Sequence, residues 1–419
     1  MRAYQTCRVV VTGLGVVAPN GVGIANFWQA TTHGTSGITN ISQQELFQGQ
    51  PAALQVAGSI QHFLAEDYLE RKLVNRTDRM THFALAAMQE ALQDAALMLS
   101  ELPPQRMGAV IANSLGGVDF VLKQLQALYT RGPRFVSAYT AIAWLSVANV
   151  GQAAIRYGLQ GYCKTPVNDT VGGLDALGMA YRAIKRGAAD LLLAGGCEAF
   201  LHPLVLLVLR QQNQCYTGDD PCGYRPFDQR AAGLIVAEGG GICILEEYEH
   251  ARARGATIYG EIVGYGQSND AHGMQGSSTS GRQYARAMQQ AMNEGGIQSE
   301  DLAYLQLDGH ALPAADQGEV EGLRQVFGEH LPEIPATVPR TMLGHSYAAA
   351  GAIDVITALL ALKNSSIPPT ISCDKPDERY PLQLIHKTAQ PFANAYKRAV
   401  LIAGRGMGGA NVVLAVQKV

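Results

Sequence analysis

Charge is scarce in this chain. Of 419 residues only 16% are charged, the formal net charge is -3, and no long run of Lys or Arg occurs. That argues against nucleic acid or an anionic membrane as the main partner and points to a small ligand or a protein. Cysteine is present without pattern. The seven residues Cys7, Cys163, Cys197, Cys215, Cys222, Cys243 and Cys373 are odd in number, irregularly spaced and free of CxxC or Cys/His clusters. Neither a disulfide framework nor a zinc site is indicated, and a reducing, cytoplasmic setting is expected. Long apolar runs are missing too. Leu201 to Leu209 is interrupted by His202 and Pro203 and is about half the length a bilayer demands, so no transmembrane segment is expected. Arg2 and Arg8 before Val9-Val10-Val11 imitate a signal peptide. Thr12, Gly13, Gly15 and the Pro19-Asn20-Gly21 turn break that run and no small-residue cleavage site follows, which makes it a buried first strand.

What is abundant is apolar: 47% of the residues, enough for a large core and for two domains or one two-part fold. Short β-branched runs recur at Arg8–Thr12, Gly108–Ala112, Asp190–Ala194, Gly240–Leu245, Ile258–Val263, Ala303–Leu307, Arg398–Ala403 and Val412–Val416, with helical patterns between them. Leu174, Leu177, Tyr181 and Ile184 form one apolar helical stripe that ends in a basic turn and glycine at Arg186-Gly187. The alternation predicts an α/β fold, layered α/β/α/β/α, with mainly parallel sheets. The charged stretch 246–255 suggests a seam between halves 1–250 and 251–419. Gly13-Leu14-Gly15 early and Gly404 to Gly409 late suggest that the halves are duplicates.

Two local motifs imitate known chemistry. Gly13-x-Gly15-x-x-Ala18 after a strand resembles a dinucleotide fingerprint, but a Pro-Asn-Gly turn stands where the helix should begin, so a tight structural turn is the better reading. Gly344-His345-Ser346-Tyr347-Ala348 before an apolar helix resembles the nucleophile elbow of serine hydrolases, with Asp354, Asp374, Asp377 and His386 downstream in a permissible order. Against it, Ala348 stands where Gly is usual, and most strand-helix units precede the supposed nucleophile.

A third constellation is longer and more specific. It runs through Asn168-Asp169-Thr170-Val171-Gly172-Gly173, Arg225-Pro226-Phe227-Asp228 with Glu238-Gly239-Gly240, and Asp308-Gly309 to Pro313, Asp316 and Glu319. It ends with Arg340-Thr341-Met342-Leu343-Gly344-His345 and the glycine-rich loop Gly406-Met407-Gly408-Gly409-Ala410-Asn411. In these ordered motifs the sequence resembles the elongating β-ketoacyl synthases over nearly its whole length. The resemblance implies a thiolase-like fold with two duplicated halves.

The departures from that family carry the chemistry. Its active members place a Cys where a strand meets a helix N-terminus, which favours the thiolate; here the position reads Thr170. A Thr hydroxyl without a dedicated base is a poor nucleophile, and Thr170 is expected to be a helix cap. The family also uses two His residues as donors to an enolate oxygen. The first maps to Asp308, an acceptor-only carboxylate, and the second to His345. The family Lys maps to Arg340, placed to pair with Asp308, while His310 is out of register with the motif. No intact catalytic set remains.

That combination resembles the chain-length factor, or ketosynthase-β, of type II polyketide synthases. Many such factors carry Gln at the position of Thr170, a residue linked to decarboxylative priming, so Thr170 puts that role in doubt. The resemblance implies a heterodimer with an active ketosynthase, the two forming one acyltransferase complex with a product tunnel at their interface. Val118, Val121, Leu125 and Leu204 would line it, aliphatics where other factors use bulky aromatics. It also implies an acyl carrier protein as second partner. No metal or organic cofactor is expected, since the phosphopantetheine arm arrives on the carrier. The basic cluster Arg71, Lys72, Arg76 and Arg79 would suit an acidic carrier, yet reads better as a solvated helix face. Two alternatives remain: an active ketosynthase that uses Cys163, seven residues upstream of Thr170, and a serine hydrolase that uses Ser346.

Overall fold

A computed structural model describes residues 7–42, 52–273, 276–393 and 398–419; Arg2 lies outside them. Each of the eight β-branched runs is a strand: β1 Val9–Ala18, β2 Met107–Ala112, β3 Leu191–Glu198, β4 Gly239–Glu247, β5 Gly260–Asn269, β6 Leu302–Gln306, β7 Ala399–Arg405 and β8 Ala410–Gln417. The helices that matter for the site are α1 Arg79–Asp94, α2 Val118–Arg131, α3 Gly172–Lys185, α4 Pro203–Gln211, α5 Arg282–Gly295, α6 Pro313–Phe327 and α7 Ala348–Asn364. The stripe Leu174, Leu177, Tyr181 and Ile184 is buried on α3, worth roughly 1.5–3 kcal/mol per large side chain. α3 stops at Gly187, which turns with a φ of 76°.

The strands form one continuous path, β6-β7-β8-β5-β1-β4-β3-β2, extended by Cys163–Lys164 beside β2 and by Pro335–Thr337 and Gln383–Leu384 beside β6. The path is a repeat. Its first-half order is 2-3-4-1 and its second-half order 6-7-8-5, with a short parallel strand outside β2 in one and outside β6 in the other. The expectation of mainly parallel sheets needs correction. β2–β3 and β6–β7 are parallel, but β1–β4, β3–β4, β7–β8, β8–β5 and β1–β5 are antiparallel. β7 and β8 are joined by only the 406–409 loop, too short for a parallel crossover.

Layers follow from which helix covers which face. α1 packs on β1 and β4, α5 packs on β5 and β8, and α3 and α7 pack against each other between the halves, giving α/β/α/β/α. The glycines of β1 belong to this packing and not to a turn, which corrects the sequence reading. A Cβ at Gly15 would lie 1.9 Å from the Ala87 carbonyl of α1, and one at Gly266 would lie 1.8 Å from the Ala287 carbonyl of α5. The counterpart of Gly13-x-Gly15 is therefore Gly264-x-Gly266, not the late 404–409 loop. The stretch 246–255 supplies the end of β4 and a short helix Tyr248–Ala253, and Glu246 in it is fully buried. No helix of the described residues is long and apolar enough to cross a membrane.

Candidate functional site

The motif residues converge where α3 and α7 begin. Asp169, at φ 49°, bends the chain into a short 3-10 turn ahead of α3, and Thr170 in that turn is buried. Thr170 does not cap the helix, as the sequence had suggested: Val171 holds the cap position, and the Thr170 hydroxyl donates to the Arg405 carbonyl at 3.3 Å. Asp169 holds the 406–409 loop over the site, its Oδ2 accepting from Gly408 N–H at 2.9 Å.

Asp308 sits just past β6, where Glu319 of α6 accepts from the Asp308 and Gly309 N–H groups at 2.9 and 3.0 Å. Arg340 donates to Asp308 Oδ1 and, by Nη2, to Asp354 of α7 at 2.5 Å. Asp308 Oδ2 accepts from Arg405 N–H at 3.2 Å. All four side chains are buried. Burial works to raise the Asp308 carboxyl, but His310 and Arg340 outweigh it and hold the group well below its ordinary range. Asp308 is therefore an anion at neutral pH.

Arg340 also settles what His345 can do. Its Nη1 lies 2.9 Å from His345 Nε2, and a guanidinium only donates, so that nitrogen must accept. Burial, then Arg340, holds the imidazole down to about 4, hence neutral. The nitrogen that the family resemblance would have donate to an enolate is engaged as an acceptor.

Sequence reasoning missed His310. Gly309, at φ 60°, reverses the chain, so that His310 Nε2 comes within 2.7 Å of Asp308 Oδ2 and its ring centre lies 5.5 Å from that of His345. Burial lowers the His310 pKa, but Asp308 overrides it and raises it. His310 also lines a cavity of about 490 Å³ with Gln214, Ser277, Leu312 and Met407. The signal available was the intervening glycine, which permits the turn. Asp308, His310 and His345 have metal-ligand character, but the Arg340 guanidinium already bridges Asp308 and His345, and a divalent ion there would face its charge.

The alternative nucleophiles are not positioned. Cys163 is pinned in its edge strand opposite Ala109 and packs in the outer layer with α1, on the far side of the sheet from α3 and α7. Burial pushes the Cys215 thiol up to about 12, and raises Cys197, Cys243 and Cys373 as well. Ser346 is buried, Asp354 is committed to Arg340, and among the described residues no hydrogen bond joins Ser346 to a histidine. The basic cluster is not wholly a solvated face: Arg79 turns inward to Glu238 with contacts of 3.0 and 2.9 Å.

Val118, Val121 and Leu125 share one face of α2, and Leu204 opens α4. Val118 and Val121 are half-buried, while Leu125 and Leu204 are exposed. They lie beside a run of outward apolar side chains: Ile142, Trp144, Leu145 and Val147 are each about half exposed, as are Leu207 and Val208.

Residues 6–251 match the family "Beta-ketoacyl synthase, N-terminal domain" and residues 259–374 its C-terminal domain. The chain is 38% identical to the tetracenomycin polyketide synthase ketoacyl synthase beta subunit of Streptomyces glaucescens, over 98% of each chain. It is 32% identical to a 3-oxoacyl-[acyl-carrier-protein] synthase 2 of Staphylococcus aureus, over 99% of each. Among solved structures it resembles a type II polyketide synthase acyl-carrier protein in complex with its ketosynthase (29% identity, TM-score 0.90, covering 99% of this chain and 100% of that one). It also resembles the ishigamide ketosynthase/chain length factor (25% identity, TM-score 0.88, 99% of each).

Proposed function

The chain belongs to the β-ketoacyl synthase family, and from that membership we propose that it is a non-condensing chain-length subunit paired with an active ketosynthase in a type II polyketide synthase. The observation that carries the reading is Arg340. It neutralises Asp308 and takes the Nε2 lone pair of His345, while Thr170 stands in place of the thiol. A site so wired has neither a nucleophile nor an enolate donor, so condensation falls to the partner's Cys.

The outward apolar side chains around α2 and α4 support the pairing, because an obligate partner covers such a surface whereas a monomer rarely exposes one. On this reading Val118, Val121, Leu125 and Leu204 wall a tunnel completed by the partner, and their volume limits the growing chain. The acyl carrier protein brings the phosphopantetheine arm, so the chain itself holds no cofactor, and the complex works in the cytoplasm. The halves 1–250 and 251–419 are part of the same proposal.

Co-expression with the partner ketosynthase tests it. A one-to-one complex by size exclusion and mass, inactive once the partner's Cys is blocked, is expected. A homodimer that condenses malonyl groups by itself would overturn the reading. Within the complex, Leu125→Ala should lengthen products and Val118→Trp shorten them, and unchanged lengths in both would remove the gate.

A further inference from the structure

The loop that leads into α2 hangs on two buried carboxylates outside the relic site. Glu198, the last residue of β3, accepts through Oε1 from Ser114 N–H at 2.5 Å and Leu115 N–H at 3.4 Å. Its Oε2 is buried without a partner. Asp78 accepts from Met80 N–H and Phe120 N–H, each at 2.8 Å, so one carboxylate caps α1 and grips the first turn of α2. Ser114 donates its hydroxyl to the Asp169 carbonyl at 2.7 Å, next to Thr170. Gly117 allows no side chain: a Cβ would lie 2.0 Å from the Ala143 carbonyl. The entry to α2 is thus tied to β3, to α1 and to the relic site together.

We propose that Glu198 is the positioning residue for α2, acting through Ser114 and Leu115, and thereby sets the acyl chain length the complex accepts. The second half of this inference rests on the reading of α2 as tunnel wall; the first half does not. The groups facing Glu198 are Asp78 from α1, Tyr347 at the head of α7, and its neighbour Cys197. None is a cation. Burial, with the Asp78 charge adding to it, pushes the Glu198 carboxyl up to about 8, the two N–H donors opposing only in part. Such a raised acid favours the neutral folded form, and its contribution is lost as pH climbs from the ordinary carboxylate range through 8. Above that the charge draws water toward Oε2 and loosens the 113–117 loop.

Hydrogen exchange across residues 113–131 in the purified complex, corrected for the intrinsic pH dependence, reads this directly. Between pH 7 and pH 9 the wild type should lose roughly tenfold protection there, most of it below pH 8, with the loss levelling off once the folded form has also ionised. Glu198→Gln keeps an oxygen for Ser114 but cannot ionise, so it should show no such loss. Equal pH responses in the two proteins would refute the inference, and this comparison stands even if the next variant fails to fold. Glu198→Ala, which leaves both N–H groups bare, should be loose at pH 7 and broaden the product lengths. If Val118→Trp shifts product length and Glu198→Ala does not, the specificity half falls while the gate survives. If neither shifts it, the gate itself falls and exchange alone decides the positioning.

Discussion

Arg340 is shared by two carboxylates, and sharing has a measurable consequence. Asp308→Asn removes the charge that meets Arg340, His310 and the Arg405 N–H, while Arg340 keeps Asp354. Asp354→Asn removes the charge that meets Arg340 Nε at 2.8 Å and Nη2 at 2.5 Å, while Asp308 remains. Each change forfeits charge-assisted hydrogen bonds in a dry site and should cost about 2–3 kcal/mol. The double variant leaves a guanidinium that is 2% exposed with no anion at all. With neither carboxylate left to compensate the other's loss, the two changes should couple, and the double loss should exceed the sum of the singles by roughly 1–2 kcal/mol. Urea unfolding of the purified complex, compared by midpoint at equal slope, closes the cycle. Strict additivity would mean that Arg340 finds a further anion or water, and the account of the site as one closed network would be wrong.

Thr170→Cys should not create an activated thiol. The position is buried, follows Asp169 and faces the Arg405 carbonyl, so iodoacetamide should label it no faster than an ordinary buried cysteine; rapid labelling would contradict the assigned loss of function. Glu246 accepts from Thr12, His250 and Arg254, and although burial works to raise its carboxyl, these partners hold it down to about 2, while His250 is raised in return. The depressed carboxylate contributes fully above about pH 4.5 and loses its share as pH falls toward 2; the raised imidazole contributes below its ordinary pKa and is lost as pH rises through its folded value. The stability gap between wild type and Glu246→Gln should therefore be widest near pH 5–6 and narrow on both sides, and a gap independent of pH would exclude the pairing. Gly15→Ala and Gly266→Ala place a methyl against equivalent helix carbonyls and should each cost about 3 kcal/mol or more by thermal unfolding. Tolerance at either site would show that its helix can back away.

All eight strands and the α3 stripe could be read from periodicity, because burial on a regular element leaves a local signature. Strand direction could not. The antiparallel centre comes from pairings such as Val9 with Glu247 and Val9 with Ile262, hundreds of positions apart. The site was partly legible for the same reason. Thr170, Asp308, Arg340 and His345 stand inside ordered motifs, whereas His310 enters through one left-handed glycine, and Arg405 through the carbonyl that receives Thr170. Asp354 was visible as the lone acid in the apolar stretch 348–362, but its partner lies in another element, and pattern alone offered it as a triad acid.

On the proposed reading, the site is a catalytic geometry retired without dismantling the fold. An active member holds donors around a point where negative charge appears only transiently. Here Arg340, Arg405 N–H and His310 surround such a point, yet Asp308 supplies negative charge there from within the chain. The Arg340 and Arg405 donors, which would be unsatisfied between turnovers in a closed site, are satisfied at all times. On that reading, an acceptor Asp308 where the family has a donor His both blocks the chemistry and neutralises the surroundings that the chemistry would require. The central layer needs its charges balanced, and Asp308 with Asp354 does so around Arg340.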